Sequence, residues 1–165
     1  MNKLGKLIVT GLGTGYLPIA PGTWGSAAVC AIFLAATYLG DANPVLTNGL
    51  MVVLAVAASV ACVALGGFAE SAFGKIDPSQ CTIDEWAGQA VALLGLPLGA
   101  DGRGWLPCAS AFVAFRVFDI VKPPPAMGLQ KLPRGWGILI DDLVAGVYAN
   151  IVAQLFLRWV LPALW

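Results

Sequence analysis

Acidic side chains border the apolar segments of this chain. Five of its nine acidic residues do so. A carboxylate at the edge of a membrane span costs free energy unless it is paired or bound to a metal, so such residues are candidates for function. They supply only oxygen ligands, and an all-oxygen set favours Mg²⁺, Ca²⁺ or Mn²⁺ over zinc or copper. The residues that could form such a cation site are Asp84, Glu85, Asp119, Asp141 and Asp142.

Four of these acids also have a structural explanation. Thr82 to Glu85 fits a capping box, in which Thr82 caps a helix and Glu85 reaches back to it. Asp141 and Asp142 lie in a first helical turn, where the helix dipole favours negative charge. Asp119 has no such explanation, because it lies in the last turn of a helix, just before a run of prolines. We therefore expect function above all at Asp119.

Glycines, hydroxyls and cations in the same chain suggest a phosphate site. Residues 11–26 form a Gly/Pro-rich stretch ahead of a helix, with free backbone N–H groups and the positive end of a helix dipole. Close packing of small residues is the alternative explanation of this stretch. Arg116 and Lys122 could bind a phosphate, although Arg116 could instead neutralise Asp119. The candidate substrate-binding residues are Thr14, Thr23, Ser26, Arg116 and Lys122.

Composition indicates a membrane protein. Hydrophobic residues make up 59% of the 165 residues and charged residues 11%, against about 25% charged residues in soluble domains. Two uncharged stretches, 7–40 and 42–69, are each longer than the roughly 20 residues that span a bilayer. The net charge is zero, which argues against nucleic acid as a partner. We expect one all-α membrane domain over residues 1–165, with four to five apolar helices and a Gly/Pro-rich N-terminal loop.

The cysteines and the absence of histidine narrow the chemistry. The four cysteines form no C-x-x-C pair, so neither a disulfide framework nor a zinc site is indicated. The chain has no histidine. This excludes phosphohistidine chemistry, a Ser-His-Asp triad and imidazole metal ligands.

The apolar segments predict the helices and their orientation. The third predicted helix is short for a full span. When the N-terminal lysines are placed on the cytoplasmic side, six of the nine basic residues fall in cytoplasmic segments, as the positive-inside rule requires. All the candidate acids and the glycine-rich stretch then lie at the cytoplasmic face. The predicted helices are 24–40, 46–68, 85–98, 105–121 and 138–161.

Four sequence blocks follow one another between about residues 11 and 150. They read GTG and APGTWGS within 13–26, DPS and IDE within 77–85, FRVFDIVKP at 115–123, and GILIDDLVAG at 137–146. Their order and spacing resemble the phosphatidylglycerophosphatase A family. The resemblance implies a Mg²⁺-dependent phosphatase of the bacterial cytoplasmic (inner) membrane, acting in phospholipid biosynthesis. Such an enzyme hydrolyses the phosphomonoester of phosphatidylglycerophosphate to phosphatidylglycerol and phosphate.

The resemblance and the chemistry together suggest roles for the acids. Asp84, Asp119, Asp141 and Asp142 are expected to hold Mg²⁺, whose bound water would attack the phosphate. Glu85 is the expected general base, so that Asp84, Glu85 and Asp119 form the catalytic set. An aspartyl-phosphate intermediate on Asp119 is the alternative mechanism.

Two other functions could use similar residues. A small membrane cation carrier or channel could use the same carboxylates, but transporter sites usually lie near the bilayer midplane, between inverted repeats. Here the acids lie at one edge. Phospholipid head-group transfer needs a dense cluster of aspartates and glycines, and the DGR segment at 101–103 is too sparse and on the wrong face.

Overall fold

The described part of the chain is a bundle of helices. The computed structural model describes residues 3–76, 78–98, 104–124, 135–160 and 162, and no strand occurs among them. A short 3₁₀ turn at Thr14–Tyr16 follows the first helix, and a π-helical turn at Phe156–Val160 extends the last. The prediction of an all-α membrane bundle is confirmed. The helices are α1 (Lys3–Val9), α2 (Pro21–Leu39), α3 (Pro44–Phe73), α4 (Ile83–Ala92), α5 (Trp105–Val121) and α6 (Gly135–Leu155).

Long apolar helices make this chain a membrane protein. Among the described residues, Pro21–Leu39, Pro44–Phe73 and Gly135–Val160 are long and apolar enough to cross a bilayer. Their outer faces carry apolar side chains such as Leu39 and Val53, which are 87% and 63% exposed. Such exposure is costly in water and natural in lipid. Helix α5 has 17 residues, which is the lower limit for a span.

Four of the predicted helices occur where the sequence placed them. Helix α5 has the predicted bounds, and α2 and α6 each begin three residues before the predicted start. Helix α3 continues to Phe73, beyond the predicted end at residue 68. Helix α1 was not predicted. Its Gly5 packs against the ring of Phe68, where a Cβ would lie 2.9 Å from Cε1.

The segment predicted as a helix at 85–98 is a half-length helix with an irregular continuation. Helix α4 has ten residues, which is about 15 Å or half of the hydrocarbon thickness. It stops because Gly95 adopts a left-handed conformation with φ of 65°, and because Pro97 follows and cannot donate a helical hydrogen bond. The third predicted helix therefore does not span the membrane as a helix.

Side chains of α6 satisfy the backbone where α4 ends. The Asn150 amide donates to the carbonyl oxygen of Leu94 at 2.6 Å, and Gln154 donates to that of Gly95 at 2.9 Å. Irregular backbone at membrane depth is tolerated only where the protein supplies its hydrogen bonds. The interruption of α4 therefore depends on these two amides.

The helix ends that carry the candidate site residues lie at one end of the bundle. The Gly95 N–H donates to Asn48 near the start of α3 at 2.6 Å, so the segment after α4 reaches the opposite end. Helices α2 and α5 are antiparallel: a Cβ on Gly22 would lie 3.2 Å from Arg116, and deeper in the bundle a Cys108 thiol donates to the Cys30 carbonyl. The starts of α2, α4 and α6 therefore meet the end of α5.

We predict that Asn150→Leu lowers the free energy of unfolding by about 1–3 kcal/mol, because it removes the amide that donates to the buried Ala92 carbonyl oxygen and one of the two amides that donate to that of Leu94. Thermal unfolding of the detergent-purified protein measures the loss. The control is Ser71→Ala, since Ser71 is exposed and bonds only within α3; its effect should stay within about 0.5 kcal/mol. An unchanged Asn150→Leu protein would contradict the role given to this amide.

Candidate active site

A polar cavity of about 300 Å³ lies where these helix ends meet. All five candidate acids and both candidate cations of the sequence line it. They come from the first turn of α4, the end of α5 and the second turn of α6, although more than 50 residues separate the first from the last. The remaining lining residues are Ala20, Pro21, Gly22, Pro78, Ser79, Cys81 and Ile138.

Three carboxylates form a compact group in this cavity. Asp84, Glu85 and Asp142 each offer one oxygen, and the three oxygens lie within 4.8 Å of one another. Two ligand oxygens on opposite sides of a cation are about 4 Å apart for Mg²⁺ and about 5 Å apart for Ca²⁺. The donor set and its spacing therefore fit one hard divalent cation.

The electrostatics of the group also favour a cation. Burial, and then the charge of Asp142, raise the pKa of Glu85 to about 8. Its Oε2 atom is buried and has no hydrogen-bond partner among the described residues. A buried carboxylate without a partner is costly unless it is protonated or bound to a cation. A divalent ion would supply the missing positive charge.

The other two acids are paired with cationic side chains. Lys122 donates to Asp141 at 2.5 Å, and Arg116 Nη1 lies 3.0 Å from Asp119 Oδ2. Burial lowers the pKa of Lys122, but the hydrogen bond to Asp141 and the charges of Asp141, Asp142 and Asp119 together outweigh it, so the net effect raises that pKa. The cavity therefore holds two fixed positive charges beside its carboxylates.

Asp119 is also adjacent to the compact group. Its carboxylate is close enough to that of Asp142 to interact with it electrostatically, and both line the cavity. It therefore connects the Arg116 guanidinium to the possible cation site. This position at the last turn of α5 explains why a carboxylate occurs where the helix dipole disfavours it.

Gly22 brings the start of α2 against the acids. A Cβ at this position would overlap the Glu85 carboxylate. Gly22 is the second residue of α2, where the backbone N–H groups have no helical partner and carry the positive end of the dipole. The helix start can therefore contribute to binding an anion next to the carboxylates.

Two further glycines set the distance between α4 and α6. A Cβ at Gly146 would overlap the Gly88 carbonyl group, and a Cβ at Gly88 would lie 2.6 Å from the Asp142 carbonyl oxygen. The helices therefore pack backbone to backbone. Only this close approach brings Asp84 and Glu85 to within reach of Asp142.

The hydroxyls expected to bind substrate lie outside the residues that line the cavity. Thr14 is hydrogen-bonded to Thr82 at 3.0 Å, and Ser26 donates to the Gly22 carbonyl oxygen at 3.0 Å. Thr23 follows Gly22 in the first turn of α2. Thr82 makes no side-chain cap on α4, in contrast to the capping box expected for it.

The loop before α4 adds lining residues for which the sequence analysis gave no role. Pro78, Ser79 and Cys81 line the cavity. Pro78 and Ser79 belong to the DPS block of the family resemblance, whereas the only sequence signal of Cys81 is its position just before the acids of α4. Asp77, part of the same sequence block, and the DGR segment at 101–103 lie outside the described residues.

Comparisons with known proteins identify relatives over nearly the whole chain. The profile of the family described as Phosphatidylglycerophosphatase A matches residues 7–157. A protein of Bacteroides thetaiotaomicron, named putative phosphatidylinositol-3-phosphatase, is 36% identical over 94% of both chains. Phosphatidylglycerophosphatase A of Haemophilus influenzae is 34% identical over 94% of this chain and 90% of its own, and that of Escherichia coli is 33% identical over 89% and 80%. No solved structure matches the chain.

We predict that Gly146→Ala forces α4 and α6 apart and lowers the free energy of unfolding by about 1–3 kcal/mol, as overpacking does. Thermal unfolding in detergent measures this change. Gly49→Ala is the matched control, because no atom lies within 4 Å of a Cβ at that helical position. Equal stability of the two variants would contradict the close packing of α4 on α6.

Proposed function

The chain belongs to the phosphatidylglycerophosphatase A family, whose members are lipid phosphomonoester hydrolases, and we propose that it hydrolyses phosphatidylglycerophosphate with the help of Mg²⁺. The observation that carries the proposal is the compact group of Asp84, Glu85 and Asp142. These acids share one cavity with Arg116 and Lys122. Such a cavity combines cation ligands with positive charges for a phosphate.

We propose that Asp84 and Asp142 hold the cation, with Asp119 and Asp141 completing its surroundings. Mg²⁺ is usually held by one or two carboxylates, and water and substrate phosphate fill the remaining positions. When bound, the metal would neutralise phosphate oxygens and lower the pKa of a coordinated water. Asp141 is the least direct cation ligand of the four, because its side chain is paired with Lys122.

Glu85 is the proposed general base. It lines the cavity next to the proposed ligands Asp84 and Asp142. It would accept a proton from the attacking water and return it to the glycerol oxygen when the bond to phosphorus breaks. Phosphatidylglycerol then leaves as the alcohol, and inorganic phosphate remains.

Charge in the cavity would position the phosphate. Arg116 and Lys122 place two cations beside the acids, and the first turn of α2 adds backbone N–H groups. The hydroxyls of Thr14, Thr23 and Ser26 stay proposed contacts. Of the three, Thr23 directly follows Gly22, which lines the cavity. Such positioning and charge stabilisation supply most of the catalysis in phosphoryl transfer.

Attack by Asp119 on phosphorus remains the mechanistic alternative. Asp119 lies beside Asp142, so a carboxylate nucleophile is available in the same cavity. Labelled phosphate transferred to the protein in a single turnover would favour this route over attack by water.

The distribution of positive charge supports a cytoplasmic active site in the inner membrane. Lys3, Lys6, Lys75 and Lys122 lie at the end of the bundle that carries the acids. Arg158 lies at the opposite end and donates to the Gly95 carbonyl oxygen at 3.1 Å. This asymmetry follows the positive-inside rule. A lipid head group in the inner leaflet would then reach the cavity directly.

Phosphatidylinositol 3-phosphate is a second lipid to test as a substrate. A relative that is 36% identical is named a putative phosphatidylinositol-3-phosphatase, so phosphatidylinositol 3-phosphate is a second candidate substrate. The family and the relatives give no support to a cation carrier. Metal-dependent flux into proteoliposomes without phosphate release would favour that function instead.

We predict that the purified protein releases phosphate from phosphatidylglycerophosphate and that a chelator stops the reaction. Asp142→Asn should lower kcat/KM by at least about 100-fold, since even outer partners of metal ligands matter 10–100-fold. The control is Asp41→Asn, in the loop between α2 and α3 at the other end of the bundle. It should retain activity within about twofold. Full turnover by Asp142→Asn, or in excess chelator, would rule out the proposed site.

We further predict that Arg116→Gln raises KM or lowers kcat by about 10²–10³-fold, because it removes a fixed donor from the developing phosphate charge. Lys75→Gln is the control for general attraction of anionic lipid, since Lys75 is exposed and lies outside the cavity. Steady-state kinetics in mixed micelles separates the two effects. Equal losses in both variants would mean that Arg116 acts only through bulk electrostatics.

A further inference from the structure

Gln89 is a buried amide for which the protein supplies no partner. It lies in α4 with none of its surface exposed. Neither its nitrogen nor its oxygen has a hydrogen-bond partner among the described residues. A buried polar group left unpaired costs about 1–3 kcal/mol, and a methionine of similar shape would avoid this cost. The amide therefore needs an explanation other than packing.

Gln89 lies one helical turn after Glu85, which lines the cavity. It follows Glu85 by four residues, and residues so spaced share one face of a helix. Helical side chains lean towards the N terminus, so the amide leans towards the turn that carries Glu85. On the neighbouring helix α2, Ser26 is fully buried one turn after Gly22. Gln89 and Ser26 are therefore buried polar residues one turn further along their helices than Glu85 and Gly22, which line the cavity.

A buried water would satisfy the unpartnered atoms of both side chains. Glu85 Oε2 is buried and, like both amide atoms of Gln89, has no partner among the described residues. A buried water makes two to four hydrogen bonds to polar groups of this kind. It can accept a hydrogen bond from the Gln89 nitrogen and donate one to the carboxylate. The unpartnered atoms on the two successive turns are then satisfied together.

We propose that Gln89 is a positioning residue, which holds the Glu85 carboxylate in its reactive orientation through a buried water. The proposal deepens the proposed function, because it assigns a support to the general base named there. Gln89 is uncharged and does not line the cavity. It would therefore act through Glu85, without touching the substrate.

The test compares two chemically identical substitutions, Gln89→Met and Gln154→Met. Gln154 is the matched control, because its amide has a structural task, the hydrogen bond to the Gly95 carbonyl oxygen at the far end of α4. The measurements are kcat, KM, the melting temperature, and the Mn²⁺ affinity of the substrate-free protein by electron paramagnetic resonance.

We expect Gln89→Met to lower kcat by about 10–100-fold, because Glu85 loses its orientation, and to lower Mn²⁺ affinity by a similar factor, because Glu85 offers one of the three oxygens of the compact group. Its KM should change less than about twofold, and its melting temperature should stay equal or rise, because an unpaired amide is lost. Gln154→Met should lower the melting temperature and leave the kcat of the folded fraction unchanged.

The proposal is overturned if Gln89→Met keeps the wild-type kcat and Mn²⁺ affinity. It is also overturned if its losses only follow a lower melting temperature, because Gln89 would then be a structural residue. If the wild-type protein releases no phosphate from either lipid, the proposed function fails by itself. The Mn²⁺ affinities of the two variants still decide the role of Gln89 in that case.

Discussion

Carboxylates that are held away from water require positive charge, and this requirement organises the rest of the molecule. Asp84, Glu85 and Asp142 meet in a space that one divalent cation fits. The acids beside them are neutralised by Arg116 and Lys122. The start of α2 adds a partial positive charge. Each of these elements has its position because an uncompensated cluster of buried carboxylates would be unstable in a medium of low dielectric constant.

Glycines at helix contacts and the early end of α4 make this arrangement possible at the end of a membrane bundle. Gly22, Gly88 and Gly146 remove side chains at the places where helices must touch. The early end of α4 lets a short helix carry two acids into the site without spanning the bilayer. The site is therefore made of helix ends, where free backbone groups and polar side chains occur naturally, and the long apolar helices only hold these ends in place.

The sequence predicted which charged residues line this cavity better than it predicted how they pair with one another. The acids and the two cations follow from residue type and helix position, since charged residues are costly beside apolar spans. The helix ends of α5 follow from its tryptophan start and the prolines after it. The sequence could not predict which acids form the compact group and which pair with cationic side chains. The pair of Asp141 with Lys122, for example, depends on how α6 is rotated about its own axis. The end of α4 was missed for a similar reason: its apolar residues continue to Leu98, and the side chains that stabilise the interruption, among them the amides of Asn150 and Gln154, are over 50 residues later in the sequence.

The dependence of α4 on α6 has a consequence for how the protein is made. Chains are synthesised from the N terminus, so α4 leaves the ribosome well before Asn150 and Gln154 exist. Until α6 has entered the bilayer, the carbonyl groups of Leu94 and Gly95 lack the donors that they have in the finished bundle. The end of the half-length helix therefore gains these donors only after α6 has been inserted. The candidate acids would then come together only after α6 has been inserted, and a product truncated before α6 would lack Asp141 and Asp142.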